Sequence, residues 1–279
     1  MKREPETKGE DGFALITVLW AVLILATIAA SIMATGRTES RLSRTHLDMA
    51  ELDAVADAAI NIAILHLLDP TAEVRPPADG TPVTVEFAGQ RVVVTVLDES
   101  GKVDLNMADA ELLRRLLVAA GVGTDAAQPL VDKILDWREP GEGKRLNGAK
   151  AHDYNAAGIL YGPRGAPFES VEELQLVLGI TPELYARLAP SLTVYSQTPW
   201  VDPAFAPKDV LTALAGMGGE PVSTVLAERG TGNTGGVMVG HAFTISADIE
   251  GPDRLHVART AVIRLSGAPG APVGIYQWR

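Results

Sequence analysis

Residues 12–33 read GFALITVLWAVLILATIAASIM. No residue from Phe13 to Gly36 is charged, and the twelve residues ahead of Phe13, MKREPETKGEDG, are mostly polar, with three basic and four acidic side chains. At about 1.5 Å of rise per residue, 20–22 helical residues cross the roughly 30 Å hydrocarbon core of a bilayer. A secretory signal has a shorter apolar core, about 7–15 residues. Three uses of such a stretch stay open at this point: a plain single-span anchor, a signal cut near Ala29-Ala30-Ser31, and a leader followed by an assembly helix.

The pattern runs on beyond the apolar stretch. Residues 37–68, RTESRLSRTHLDMAELDAVADAAINIAILHLL, hold neither Pro nor Gly. Leu42, Met49, Leu52, Ala56, Ile60, Ala63 and Leu67 recur at three, four or seven residues, which marks one apolar helical stripe. Asp69-Pro70 ends it, because the residue before proline avoids the α region. The expectation is one helix from Phe13 to Leu68, about 84 Å long, apolar all round in its first half and amphipathic in its second.

Beyond a Pro- and Asp-rich linker at 70–82, PVTVEF and RVVVTVL alternate Val with polar residues on either side of Ala88-Gly89-Gln90, which predicts a β-hairpin. DESGKVDLN reads as a turn leading into a short strand. Asn106 is the expected N-cap of a helix through ELLRRLLVAAG, with Asp109 three residues on. A second helix is expected over about 125–138, then a Gly- and Pro-rich loop over 138–167. FESVEELQLVLGITPELYARLAPSL reads as helix, turn and helix. VDLNMADAELLRRLL (103–117) faintly repeats in VDPAFAPKDVLTALA (201–215), so the helical block is expected to be entered and left through similar turns. HAFTISADIE, DRLHVARTAVIRL and PVGIYQWR return to strands. The fold class is α+β: a long helix (13–68) on a small antiparallel sheet (82–103 with 241–279), a helical insert (104–217) and a Gly-rich loop (218–240).

The net charge of −11 disfavours a polyanionic partner such as DNA. Leu117–Gly123 followed by Ala126 and Ile134 resembles a helix-hairpin-helix. Its Gly-x-Gly turn would offer amides to a phosphate. Residues 103–193, however, hold nine basic and thirteen acidic residues, so a packing turn is the stronger reading. With no cysteine, disulfides, thiolate metal sites and Cys nucleophiles are excluded. Gly230–Gly235 fits G-x-G-x-x-G but precedes a strand, and Gly141–Lys144 lacks the flanking P-loop residues. The five His residues are scattered, and no nucleophile–base signature stands out; the chain reads as a non-enzyme. Trp137 and Trp278 are read as core residues ahead of interface anchors. Asp132, Asp136, Glu139, Glu142, Asp153 and Glu169 lie in or beside the Gly-rich loop. Oxygen ligands of this type suit Ca²⁺. A solvated acidic loop is the other reading.

A charged leader ending in Gly12, Phe13 next, then an apolar helix turning amphipathic resembles the type IV pilins and pseudopilins. The resemblance implies prepilin-peptidase cleavage between Gly12 and Phe13 and N-methylation of Phe13. The position of the usual Glu, fifth after the cut, is Thr17. That absence, with the helical insert, is similar to the minor pseudopilin K family of type II secretion. The likeness is carried by Val103–Asn106, Ile134–Arg138, Asn147–Ala149, Pro167–Leu174, Leu192–Ser196 and Gln277–Arg279. It implies a pseudopilus tip subunit partnered by minor pseudopilins I and J and other pseudopilins. It also implies an inner-membrane anchor with the N-terminus cytoplasmic and the rest periplasmic. Calcium in the helical domain is a further implication, for which Asp136, Glu139 and Asp153 are the candidate ligands. A minor pilin of another type IV pilus-like system, and a membrane-tethered helix-hairpin-helix DNA receptor, are the alternative readings.

Overall fold

The computed structural model describes residues 11–69, 71, 75–216, 218, 220–228 and 238–279. Most of the leader, residues 1–10, and Gly230–Gly235 lie outside the described residues. The chain divides into two compact units, one of residues up to Ala54 with Glu250–Val257, the other of Val55–Ile249 with Ala258–Arg279.

Helix α1 runs without a break from Asp11 to Leu68. The stripe read from the sequence is its buried side: Leu52, Ala56, Ile60, Ala63 and Leu67 are each at most 3% exposed, joined by Val55, Ala59 and Ile64. Met49 is half-buried; the side chain of Leu42 lies outside the described residues. Phe13, Leu15, Leu19, Trp20 and Leu25 are all more than 60% exposed. Within the first unit, Leu52 packs on the chain at Gly251, where an added Cβ would come within 2.5 Å of Leu52 Cδ1. Among the described residues no helix is long and apolar enough to cross a membrane.

In the second unit the hairpin forms as expected, β1 (Val83–Phe87) against β2 (Gln90–Asp98), in antiparallel register from Val83↔Val94 to Phe87↔Gln90. Its loop is tighter than the three residues read from the sequence. Ala88 (φ 51°) and Gly89 (φ 77°) make a two-residue turn with both φ positive, the geometry that matches strand twist. The linker at 70–82 is also less irregular than expected, since Asp79 forms a bridge to Leu97 and Asp98 N donates to Ala78 O.

The strands β5 (Ala242–Glu250), β6 (His256–Ala268) and β7 (Ala271–Trp278) complete a five-stranded sheet in the order β1-β2-β5-β6-β7. Strand β2 pairs antiparallel with β5 from Val92↔Ile249 to Asp98↔Phe243. The helical block is therefore inserted between two strands that lie side by side.

A two-residue parallel pair closes the base of the insert: β3 (Val103–Asp104) lies against β4 (Leu192–Thr193). Its helices are α2 (Ala110–Ala119), α3 (Thr124–Arg138), α4 (Ala151–Ala156), α5 (Pro182–Leu188), α6 (Lys208–Ala215) and α7 (Val222–Glu228). Residues 171–176 form a 3₁₀ turn, not the α-helix expected there. Helix α7 occupies part of 218–240, which the sequence suggested was all loop. The insert has its own core, including Leu112, Leu116, Val131, Ile134, Leu174, Leu188 and Val210.

The repeat is a structural one. Asp104 Oδ1 accepts Asn106 N and Asp202 Oδ1 accepts Ala204 N, both at 2.8 Å, so each copy opens with the same Asx turn. Ala108 and Ala206 are both buried, and the two helices that follow, α2 and α6, pack on each other. The N-cap of α2 is Asp109, whose side chain accepts from Leu112 N at 2.8 Å, and not Asn106. Asn106 instead clasps the backbone of Phe168, donating to its O at 3.0 Å and accepting its N–H at 2.7 Å. A side-chain amide can imitate a strand partner in this way, and that use outcompetes the cap.

Candidate functional site

The carboxylates singled out in the sequence gather around the C-terminal half of α3. Asp132 and Asp136 are one turn apart on this helix, and the chain at 145–148 runs back along it. Asn147 donates to Asp132 Oδ2 from its backbone N (3.2 Å) and its Nδ2 (3.1 Å), while Gln128 Nε2 donates to Oδ1 at 2.9 Å. Asp136 is fully buried and accepts from Arg145 N (3.2 Å) and Arg145 Nη1 (3.0 Å). Gly148 makes this approach feasible, since a Cβ there would sit 1.7 Å from Asp136 Oδ2.

Arg145 joins Asp136 to Glu139. Its Nη1 and Nη2 donate to the two Glu139 oxygens at 2.6 Å each. The guanidinium holds the Glu139 carboxyl below its usual range, and that paired carboxylate in turn raises Arg145. Lys150, only 7% exposed, turns its ammonium onto the carbonyls of Asp136 (2.8 Å) and Glu139 (3.0 Å). Asp153 stands apart from the other two. Its Oδ1 accepts from Lys144 Nζ at 2.8 Å, and its Oδ2 accepts Lys150 N at 2.9 Å to start α4. The Lys144 bond lowers the Asp153 pKa first, and the backbone N–H of Lys150 adds to it. Glu142 is exposed, and Glu169 pairs with Arg164.

Asp136, Glu139 and Asp153 each already hold a side-chain cation. Among the described residues no three His, Asp or Glu converge as a metal requires.

Behind the loop lies an aromatic cluster. Trp137, 2% exposed, stacks on Phe168 at 6.3 Å between centroids, and its ring lies 5.9 Å from that of Tyr154. Its Nε1 donates to Glu173 at 2.7 Å. The Tyr154 hydroxyl accepts Leu178 N at 3.0 Å, while burial lifts its pKa to about 12. Trp137 is therefore a core residue. The α2–α3 turn spends two of its amides internally: Gly121 N donates to Val118 O, and Val122 N to Leu117 O. Gly121, at φ +89°, serves the turn geometry.

At the start of the apolar helix, Thr17 Oγ1 donates to Phe13 O at 3.2 Å, one turn back. This internal bond satisfies the hydroxyl within the helix.

Two contacts at the sheet escaped the reading of the sequence. His241 Nδ1 meets Asp98 Oδ2 at 2.7 Å, and Asp57 on α1 accepts from Trp278 and Arg259. The first left a signal. Alternation along β2 puts Asp98 on the same face as the buried Val92, Val94 and Val96, and a buried carboxylate needs a partner.

Comparison with known proteins matches residues 93–197 to a family described as type II secretion system (T2SS), protein K. A type II secretion system protein K of Pectobacterium carotovorum subsp. carotovorum is 28% identical over 204 residues, 65% of this chain and 62% of that protein. One from Pseudomonas aeruginosa is 26% identical over 229 residues, 74% of this chain and 66% of that protein. The match thus spans less than two thirds of these relatives' length. A chain of the crystal structure of the GspK-GspI-GspJ complex from enterotoxigenic Escherichia coli superposes with a TM-score of 0.61, covering 86% of this chain and 98% of that one at 14% identity. The matched residues 93–197 hold β3, its partner β4 and the α3 loop network, and over them the chain is similar to the type II secretion system protein K family.

Proposed function

We propose that the protein is a minor pseudopilin that works as a structural subunit of type II secretion, at the tip of the pseudopilus with the I and J minor pseudopilins. The observation that carries this reading is the family match lying across the insert of a pseudopilin-like helix-and-sheet fold. Two further features support it. A helix whose first turns expose Phe13, Leu19, Trp20 and Leu25 needs lipid or apolar helices around it. A bulky insert suits an end position, because it would obstruct lateral packing within a fibre.

In this reading residues 13–34 anchor the chain in the inner membrane with the body in the periplasm. Prepilin peptidase cuts between Gly12 and Phe13, and Phe13 is N-methylated. The helix then leaves lipid for a bundle of other pseudopilins. A Glu in place of Thr17 would satisfy the N-terminal ammonium of a neighbouring subunit; a tip subunit has no such neighbour on one side.

Two measurements test the proposal. The first is the mass and N-terminal residue of the membrane-extracted protein with and without prepilin peptidase, where a peptidase-dependent N-methyl-Phe13 is expected. The second is co-purification with the I and J subunits. An intact leader in both strains removes the assembly role, and failure to recover I and J removes the tip complex.

A further inference from the structure

We propose that the loop after α3 is closed by the chain's own cations, Arg145 and Lys150 with Lys144, and that the insert of this protein holds its shape without a divalent metal. The inference does not depend on the secretion role.

The argument starts from the end of α3. Its last carbonyls carry the negative pole of the helix and lack intrahelical donors. Asp136 and Glu139 add two carboxylates at the same place. Such a concentration of oxygen calls for a cation, and a hard divalent ion ringed by carbonyls and carboxylates is one solution. Here the chain supplies another. The Lys150 ammonium lies on the carbonyls of Asp136 and Glu139, the oxygens that a metal would recruit from the backbone. The Arg145 guanidinium lies across the carboxylates of the same two residues. Lys144 neutralises Asp153. Two cations thus meet the three carboxylates, and the third, Lys150, meets the backbone carbonyls between them.

Burial makes this arrangement more than a surface pairing. An ammonium as buried as Lys150 is costly unless its donors are met, and the carbonyls of Asp136 and Glu139 meet them. Asp136 is fully buried and also accepts the Arg145 backbone amide. A calcium ion entering this place would bring two positive charges beside a buried ammonium and a guanidinium, so both would first have to leave. Gly148 fixes the spacing by letting the backbone close directly on Asp136.

The experiment uses the full chain in detergent, stripped with a chelator. It is titrated with CaCl₂ to several times the roughly 1 mM range of extracellular calcium modules, and its thermal unfolding is followed. No saturable binding and a Tm unmoved by calcium are expected. Lys150→Met, which keeps the length and removes the charge, is expected to lower Tm by about 4 °C or more, equally with calcium or chelator. Saturable calcium binding with a raised Tm in the unsubstituted protein would overturn the inference. A Lys150→Met protein as stable as the original would overturn it too. Should that variant fail to fold, the calcium titration of the unsubstituted chain decides alone.

Discussion

Trp278, the penultimate residue, donates its indole N–H to Asp57 Oδ1 at 2.9 Å. Arg259 on β6 donates to both oxygens of the same carboxylate, at 3.1 and 3.3 Å. One acidic side chain on the amphipathic half of α1 thus holds the last strand of the sheet and its neighbour. Trp278→Phe removes the donor but keeps most of the ring and is expected to cost about 1 kcal/mol. Combined with Asp57→Ala in a double-mutant cycle, it should show a coupling on the order of 1 kcal/mol, read from denaturant unfolding. Strict additivity would show that the hydrogen bond contributes nothing to stability.

Asp104 is buried at the base of the insert. Its Oδ1 accepts Asn106 N, and its Oδ2 accepts Ser196 Oγ (3.1 Å) and Gln197 N (2.8 Å). Gln197 has φ 56°, a conformation that needs local support. Asp104→Asn is nearly isosteric, yet an amide nitrogen in the Oδ2 position accepts nothing. A loss of about 2–4 kcal/mol is expected, against about 1 kcal/mol for Ser196→Ala. Equal losses in the two variants would count against the role given to Gln197 N.

The His241–Asp98 pair predicts a pH dependence. The hydrogen bond to Asp98 raises the His241 pKa above its ordinary 6.5, with burial opposing; Asp202 raises it further and Arg264 lowers it. A raised folded-state pKa contributes stability that is fully present below about 6.5 and lost as pH climbs through the folded value. The protein should therefore be more stable at pH 6 than at pH 8 in urea, and His241→Gln should flatten that difference. An unchanged pH slope in the variant would assign the dependence to other groups.

Gly148→Ala tests the close approach over Asp136. Its Cβ would lie inside the van der Waals radius of Asp136 Oδ2, so the loop must retreat and the Arg145 amide must lengthen its bond. Overpacking of this kind costs about 1–3 kcal/mol or more. Gly143→Ala in the same loop meets no atom within 4 Å and serves as the silent control in thermal unfolding.

Periodicity made α1 and the strands legible. Leu52, Ala56, Ile60, Ala63 and Leu67 announce a buried stripe by spacing alone, and alternating Val in β2 announces a pleat with one inward face. The turn at Ala88-Gly89 is one residue shorter than expected and the cap at Asp109 lies three residues past Asn106, because several residues nearby could serve: Asn106 is as good a cap by composition, and only the position of Phe168, sixty-two residues on, settles its use. The acidic loop was legible as a concentration of carboxylates. Its resolution by Arg145, Lys150 and Lys144 was not, because the sequence gives no direction to a long flexible cation. The Asp57–Trp278 clasp was hidden for the same reason, since its two residues are separated by nearly the whole chain.

The register Asp98↔Phe243 makes everything from Glu99 to His241 the loop of a β-hairpin. Closing a loop costs entropy that grows only with the logarithm of its length, so the sheet hardly registers how much chain passes between β2 and β5. With β3 and β4 clasped at the neck, the insert closes on itself before the two strands meet. The length of chain between them is set by the insert's own core and not by the spacing of the strands. The scaffold and the body it carries are in this sense separately evolvable parts, joined at a seam where neither dictates the size of the other.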